Sequence, residues 1–532
     1  MQKCVIHEET SLLQETKQAK YVIRVNSRSE KIYLLGSLYI GVLLAALDGT
    51  VVASLLSHIA SELGNLSFAP WIASSYMMMS SAFQPLFGKL SDIFGRKRCL
   101  LTCHFLFALG SLLSGLSSGV SLLIVGRCVQ GIGGGGLIAL SSIVVSDMTP
   151  LRDRGLYQGI ANISFGIGAS MGGSFGGIIS AKFGWRYAFL GQIAISLSAV
   201  TLVYLNLNES SSGMKDSVWS ELGHVDFLGS FFLLSSFTCF FLVLNLGGAY
   251  VPWRSSQIGL LIMLFLILSV CFLKAEQRSP DKAVIPFRIF QGVTECLCFI
   301  LSFLSSMAAF TYIFLLPIFI EIVLGKSASS SGSILAVNFM GVMIGSLGSG
   351  LIVKATCRYK ILLLACGLIY ILSCCSLCSF GLATSTAVQV ITVCGLGLAY
   401  SSLVTISLIA LMASVPKDLQ AVGSSVFYAS RGFGSTVGVA VSSSIFANSL
   451  RHYLNSYIVG PERETVIEMV LASSDAIKGL SPSYQAQTVQ SYVSSLRIAF
   501  ACTVFLSALI WLVSIPLKER HLEPETKDQA AA

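Results

Sequence analysis

The sequence predicts an all-α polytopic membrane protein with fourteen transmembrane spans. Three observations carry that reading. Of 532 residues, 54% are hydrophobic and 11% charged, and the mean hydropathy is +0.78; a soluble domain carries about 25% charged residues. The apolar residues gather into runs near the ~20 residues that a membrane-crossing helix needs. Lys and Arg are divided unequally between the segments that join those runs.

In chain order the spans are expected at 33–54, 69–88, 100–118, 121–145, 157–180, 187–206, 226–246, 256–273, 293–320, 331–353, 361–380, 386–411, 421–446 and 497–516. An even number places both termini on one side. With that side cytosolic, 24 of the 34 Lys and Arg residues fall in cytosolic segments and eight on the other side, while Arg127 and Arg431 lie inside spans. This bias sets the orientation. Trp71, Trp185 and Trp253 then fall near the non-cytosolic face, where interfacial anchors are expected. The polar segment 447–496 is expected to be a non-cytosolic loop with one helical stretch near 463–478. The first 31 residues are polar, so the first span is expected to act as an uncleaved signal.

Composition also excludes function classes. The net charge of +8 follows from the cytosolic Lys and Arg and does not point to nucleic acid. The fifteen cysteines fall mostly in apolar runs and lack zinc-site spacing, so they read as small apolar residues and no metal is expected. There is no GxxxxGK[ST] phosphate loop. No cofactor is expected, and transport, if that is the role of the chain, is not driven directly by ATP.

The segment 88–101, GKLSDIFGRKRCLL, packs Asp92 and the bases Lys89, Arg96, Lys97 and Arg98 between two apolar runs. It must lie at the cytosolic surface. Gly88 suits close approach of the preceding helix to a neighbour, and Gly95 suits a tight reversal. Asp92 and the arginines can pair across helix ends and lock one arrangement of a helix bundle; the plainer reading is a basic anchor. A weaker copy, GLIVKATCRYK, stands at 350–360.

Ionisable residues at mid-membrane cost at least about 2.5–3.5 kcal/mol and are functional candidates. They are Asp48 in the first span and Arg127 in the fourth, followed by Gln130 and Gly131. A buried structural ion pair is the alternative for the first two. Glu295 and Glu321 stand near the ends of the ninth span, where they can also be interfacial, and Arg431 can snorkel to the cytosolic surface. In the fifth span Gly168, Gly172 and Gly176 repeat every fourth residue and make a small face; it suits a fixed helix contact or, as preferred here, a moving one. At the N-terminus Glu8 precedes Leu12 and Leu13, a spacing that resembles the acidic dileucine signal read by sorting adaptors; a disordered tail is the other reading.

The segment 88–101, with Leu47-Asp48-Gly49-Thr50, Arg127-Gln130-Gly131 and the run 168–177, resembles the fourteen-helix drug:proton antiporters of the major facilitator superfamily over roughly 33–516. Gly173 stands where that family usually has proline, Ser57 where the first-helix motif commonly ends in proline, and Glu321 where many relatives have glutamine. The resemblance implies the major facilitator fold: a cytosolic tail 1–32, a six-helix bundle 33–206, a linker with two extra helices 207–292, a second six-helix bundle 293–516 and a cytosolic tail 517–532. It implies alternating access around a central site, with protons coupled through Asp48 and Arg127. Substrate contacts are expected from Asp48, Gln130, Tyr312, Glu321, Tyr400, Ser401 and Thr405. Gly88, Asp92, Gly95, Arg96 and the fifth-span glycines are expected to gate. Within this family the Leu-Asp-Gly-Thr form and the tail look closest to fungal vacuolar basic amino acid transporters. The expected partners are a small-molecule substrate, protons, the lipid bilayer and a sorting adaptor. The alternatives are a plasma-membrane exporter of cationic drugs and a transport-inactive sensor on the same fold.

Overall fold

The computed structural model describes residues 21–24, 28–62, 69–211, 225–247, 251–278, 282–326, 328–416, 419–472, 477 and 479–520. Glu8, Leu12 and Leu13 lie outside them. The described chain is almost wholly helical. The first six long helices are α1 (Arg28–Glu62), α2 (Ala69–Phe94), α3 (Arg96–Gly115), α4 (Val120–Met148), α5 (Leu151–Phe183) and α6 (Arg186–Asn206). Two follow as a pair, α7 (Phe227–Leu246) and α8 (Ser256–Arg278). The last six are α9 (Val293–Ile318), α10 (Ala328–Thr356), α11 (Lys360–Cys378), α12 (Thr386–Ser414), α13 (Gln420–Tyr457) and, after the short α14 (Arg463–Ala472), α15 (Pro482–Ser514). A short antiparallel ladder joins β1 (Tyr21–Arg24) to β2 (Asn208–Ser211).

Eleven of the fourteen long helices, among the described residues, are apolar and long enough to cross a membrane. The other three, α2, α5 and α13, are richer in Ser, Gly and other polar residues, and they line the seam between the two six-helix halves. A helix that faces another helix along one side and a water-filled space along part of it does not need an all-round apolar surface.

The packing repeats between the halves. In the first, α1 lies on α5, α2 and α3 on α4, and α3 on α6; in the second, α9 lies on α13, α10 and α11 on α12, and α11 on α15. The resemblance of 350–360 to 88–101 is a real structural repeat. Gly88 of α2 lies against Ser425 of α13, and Gly350 of α10 lies against Gly155 of α5; a Cβ at Gly88 would stand 2.7 Å from the Ser425 Cβ. The caps repeat too. Glu209, just after α6, accepts from the Arg96 and Lys97 amides at the start of α3, at 2.6 and 3.0 Å. Glu519, just after α15, accepts from the Tyr359 amide at 3.1 Å and the Lys360 amide at 3.5 Å at the start of α11. Each carboxylate sits where helix amides lack partners and the helix dipole favours negative charge. Burial pushes the Glu209 carboxyl up, and the Lys97 and Arg96 amides oppose that shift.

The halves are closed at the cytosolic end. There 139–146 of α4, 399–412 of α12 and 421–429 of α13 are buried on every side, whereas beyond Ser430 the burial of α13 alternates. Lys354 of α10 pairs with Asp153 of α5 at 3.0 Å, and Arg154 donates to Gln420 at 2.9 Å. Toward the opposite face the seam is less buried: most of 163–171 in α5 and of 431–447 in α13 is at least partly exposed.

Three expectations are corrected. Trp185 is not an interfacial anchor: its ring is buried against Phe189, and its indole donates to Glu62 at 2.7 Å. The segment 447–496 is mostly helix, because α13 continues to Tyr457 and α15 begins at Pro482; polar residues here extend the helices beyond the bilayer. Within it α14 spans Arg463–Ala472. Finally, Arg431 does not snorkel. Its guanidinium lies 5.2 Å from the Phe165 ring centroid and donates through Nε to the Tyr400 hydroxyl at 3.0 Å.

Glu209→Ala and Glu519→Ala should each lower the stability of the purified protein by about 0.5–2 kcal/mol through loss of a helix cap. Thermal unfolding in detergent checks this, with Gln substitutions expected to lose less.

Candidate functional site

The deepest polar cluster is built from one face of α4. Arg127 and Gln130 are three residues apart and therefore share that face. Asp48 of α1 meets them: its Oδ2 accepts from Arg127 Nη1, and its Oδ1 accepts from Gln130 Nε2 at 2.9 Å and from Gln192 Nε2 of α6 at 3.3 Å. The Arg127 guanidinium also donates to Gln130 Oε1 at 2.7 Å and to the Ile72 carbonyl at 3.3 Å. Gln130 Nε2 reaches the Ser111 hydroxyl of α3 at 2.9 Å. The guanidinium lies 4.5 Å from the Tyr76 ring centroid, and Tyr76 is held by its hydroxyl on the Ala45 carbonyl at 2.9 Å. Asp48, Arg127 and Gln130 have no solvent exposure.

This cluster is confined to the first half. The corresponding region of the second half lacks the charge pair: Gly397 of α12 lies against the Asn338 backbone as Gly131 of α4 lies against that of Tyr76, and the helix turn before Gly397 carries Val393 and Leu396 where α4 has Arg127 and Gln130. A buried charge pair with amide partners costs less to keep than to break. Removing one member strands the other, at about 3–5 kcal/mol.

The second-half residues are placed differently. Tyr400 is buried and accepts from Arg431. Ser401 donates to the Val342 carbonyl at 2.8 Å, which ties α12 to α10. Thr405 joins Ser346 of α10 at 2.8 Å and Asn162 of α5 at 3.3 Å, so it lies in a polar contact between the halves. Asn162 also donates to Ser346 at 2.7 Å. Tyr312 is fully buried and accepts from Asn338 at 3.0 Å. Glu321 is exposed in a π-helical turn, Phe319–Val323, that follows Pro317 at the non-cytosolic end of α9. Proline removes a ladder bond, and the wider turn accommodates the loss. Asp48 and Gln130 are therefore set apart from Tyr400, Thr405 and Glu321, and they lie within the wall of the first half.

At the cytosolic surface Arg96 bridges Asp92 at 2.5 Å and Asp147, at the end of α4, at 3.0 Å. Gly95 adopts a φ of 91°, which allows the break between α2 and α3. Gly168 and Gly172 face the α1 backbone near Leu43 and Leu47, within the first half, and Gly176 is buried. Sequence reasoning missed Gln192, Tyr76, Phe165 and Asn162. Gln192 and Asn162 were visible as single amides within apolar stretches; for the aromatic rings nothing in the pattern separates them from core residues.

The chain matches the profile of the Major Facilitator Superfamily over residues 38–439. It belongs to that superfamily. It is 33% identical to multidrug resistance protein fnx1 of Schizosaccharomyces pombe, over 97% of each chain. It is 30% identical to vacuolar basic amino acid transporter 2 of Saccharomyces cerevisiae, over 87% of this chain and all of that one. Among solved structures it superposes on the proton:xylose symporter XylE with a TM-score of 0.58 at 14% identity, covering 94% of this chain and 99% of the other. The last likeness speaks to the fold. The chain is thus a multi-pass transporter of small molecules, built as two six-helix bundles with two extra helices.

Asp48→Asn should reduce proton-driven accumulation at least tenfold while leaving the protein folded and in place. Arg127→Ala should do at least as much damage, since it strands Asp48. Transport into vesicles with and without an imposed pH difference measures both; full accumulation by the Asp48→Asn protein would move the coupling carboxylate elsewhere.

Proposed function

We propose that the chain imports amino acids, basic ones foremost, from the cytosol into the vacuole in exchange for protons, by alternating access. The observation that carries this is the Asp48–Arg127–Gln130–Gln192 cluster: one carboxylate, one guanidinium and two amides enclosed in a half that must move against the other. A carboxylate in apolar surroundings holds its proton more tightly, and a neighbouring guanidinium loosens it. Rocking that changes their separation converts a proton gradient into directed movement. Each pH unit supplies about 1.36 kcal/mol per proton, or about tenfold accumulation for one-to-one exchange. The name of the Saccharomyces relative supports the substrate class and the vacuolar membrane. In this reading Asp48 and Arg127 couple protons, while Tyr400, Thr405 and Glu321 lie along the substrate route. Gly88, Asp92, Gly95 and Arg96 stabilise the cytosol-closed state.

A second reading, export of cationic drugs across the plasma membrane in exchange for protons, is favoured by the name of the Schizosaccharomyces relative. Both readings move substrate out of the cytosol. A sensor without transport is expected to lose its intramembrane charges, and Asp48 and Arg127 are both present. Vacuoles isolated with and without the protein should differ in uptake of labelled lysine and arginine, and the difference should vanish when the pH gradient is dissipated. Equal uptake by both preparations would sink the amino-acid reading. Placement at the vacuole is proposed to depend on a sorting adaptor that reads Glu8, Leu12 and Leu13. A tagged Leu12→Ala, Leu13→Ala protein should then shift to the plasma membrane, and unchanged vacuolar fluorescence would remove the motif from the account.

A further inference from the structure

Arg127 and Arg431 are the two arginines that fall inside the spans expected from the sequence, and their surroundings differ. Arg127 is neutralised by Asp48. Arg431 of α13 has no carboxylate within ion-pair distance among the described residues. Its Nε is engaged by the Tyr400 hydroxyl, and its guanidinium lies 5.2 Å from the Phe165 ring centroid and 5.7 Å from that of Tyr400. Phe165 belongs to the first half and Tyr400 to the second. The residue is half-buried, and its two terminal nitrogens make no hydrogen bond with a described residue.

The rest of α13 fixes this position. Two residues along, Phe433 points away and packs against Phe237, Phe240 and Phe241 of α7, with ring centroids 4.2, 5.8 and 5.7 Å apart. With Phe433 held by the extra helix pair, Arg431 is turned toward the space between the halves. Elsewhere along the seam Asn162 of the first half bonds to Ser346 and Thr405 of the second. An arginine at this depth is expensive unless an anion or water meets it. Its planar fork offers two parallel donors matched to a carboxylate.

We infer that Arg431 is the binding residue for the carboxylate of the transported molecule, with Tyr400 and Phe165 fixing the guanidinium. The inference rests on the amino-acid reading and narrows it: the central site requires an acid group, and cations lacking one are rejected by the bare guanidinium. Because its supports come from both halves, a bound carboxylate also touches the seam that must rock.

The test uses the full-length protein in vesicles. Lysine, lysinamide and cadaverine compete against labelled lysine; the last two keep the side-chain cation and lack the carboxylate. Both should compete at least tenfold more weakly than lysine. Arg431→Gln should raise KM for lysine at least tenfold and erase the preference over lysinamide, with Arg431→Lys in between. A parallel measurement needs no transport: lysine should raise the melting temperature of the purified native protein, lysinamide should not, and the Arg431→Gln protein should respond to neither. Equal competition by lysinamide, an unchanged KM in Arg431→Gln, or equal thermal protection by lysine and lysinamide would each overturn the inference. Thermal protection by lysine alone, in a protein that moves no lysine, would instead sink the transport reading and leave the carboxylate site standing. Should Arg431→Gln fail to fold, the competition and melting series on the native protein decides.

Discussion

Everything about the first half depends on burying one charge pair. Asp48 and Arg127 are removed from water completely, and that is tolerable only because every strong donor and acceptor around them is matched. The matching draws in five helices. Asp48 comes from α1, Tyr76 and the Ile72 carbonyl from α2, Ser111 from α3, Arg127 and Gln130 from α4, and Gln192 from α6. Only α5 stands outside the cluster; α5 and α2 carry most of the packing against the second half. The charge pair thus ties five helices into one body, and that body meets its partner through α2 as well as through α5.

The second half shows what the same architecture looks like without that demand. It uses neutral hydrogen bonds in the same layer, from Asn338 to Tyr312 and to the Val393 carbonyl. The two halves share a plan of helix contacts and helix caps, and they differ in chemistry where function is concerned. The first half encloses the Asp48–Arg127 pair; the second brings Tyr400 and Arg431 to the seam between them.

Much of the fold was legible because a bilayer imposes simple rules. Fourteen apolar runs, a Lys and Arg bias, and the copy of 88–101 at 350–360 were all visible. Helix ends were less legible: once α13 and α15 leave hydrocarbon they continue as helices through polar sequence, and hydropathy cannot register that. The charged members of the buried cluster were legible for an energetic reason, since ionised groups in apolar runs demand explanation. Trp185 and Arg431 were misplaced for a shared reason. Each has a polar tip and a large body that serves equally at an interface or in a packed wall, and only a neighbour distant in sequence, Glu62 or Tyr400, decides between the two.

The paired caps have a consequence in time rather than in space. Glu209 follows α6 and Glu519 follows α15, yet each completes the start of the third helix of its own half. During synthesis, α3 must wait with bare amide groups until the chain leaving α6 returns to it, and α11 must wait likewise for the chain leaving α15. Each closure reports that a six-helix set has been made in full. The first half can therefore be sealed while the ribosome is still extending α7, so the chain matures as two successive parcels, the earlier one offering a finished wall for the later one to assemble against.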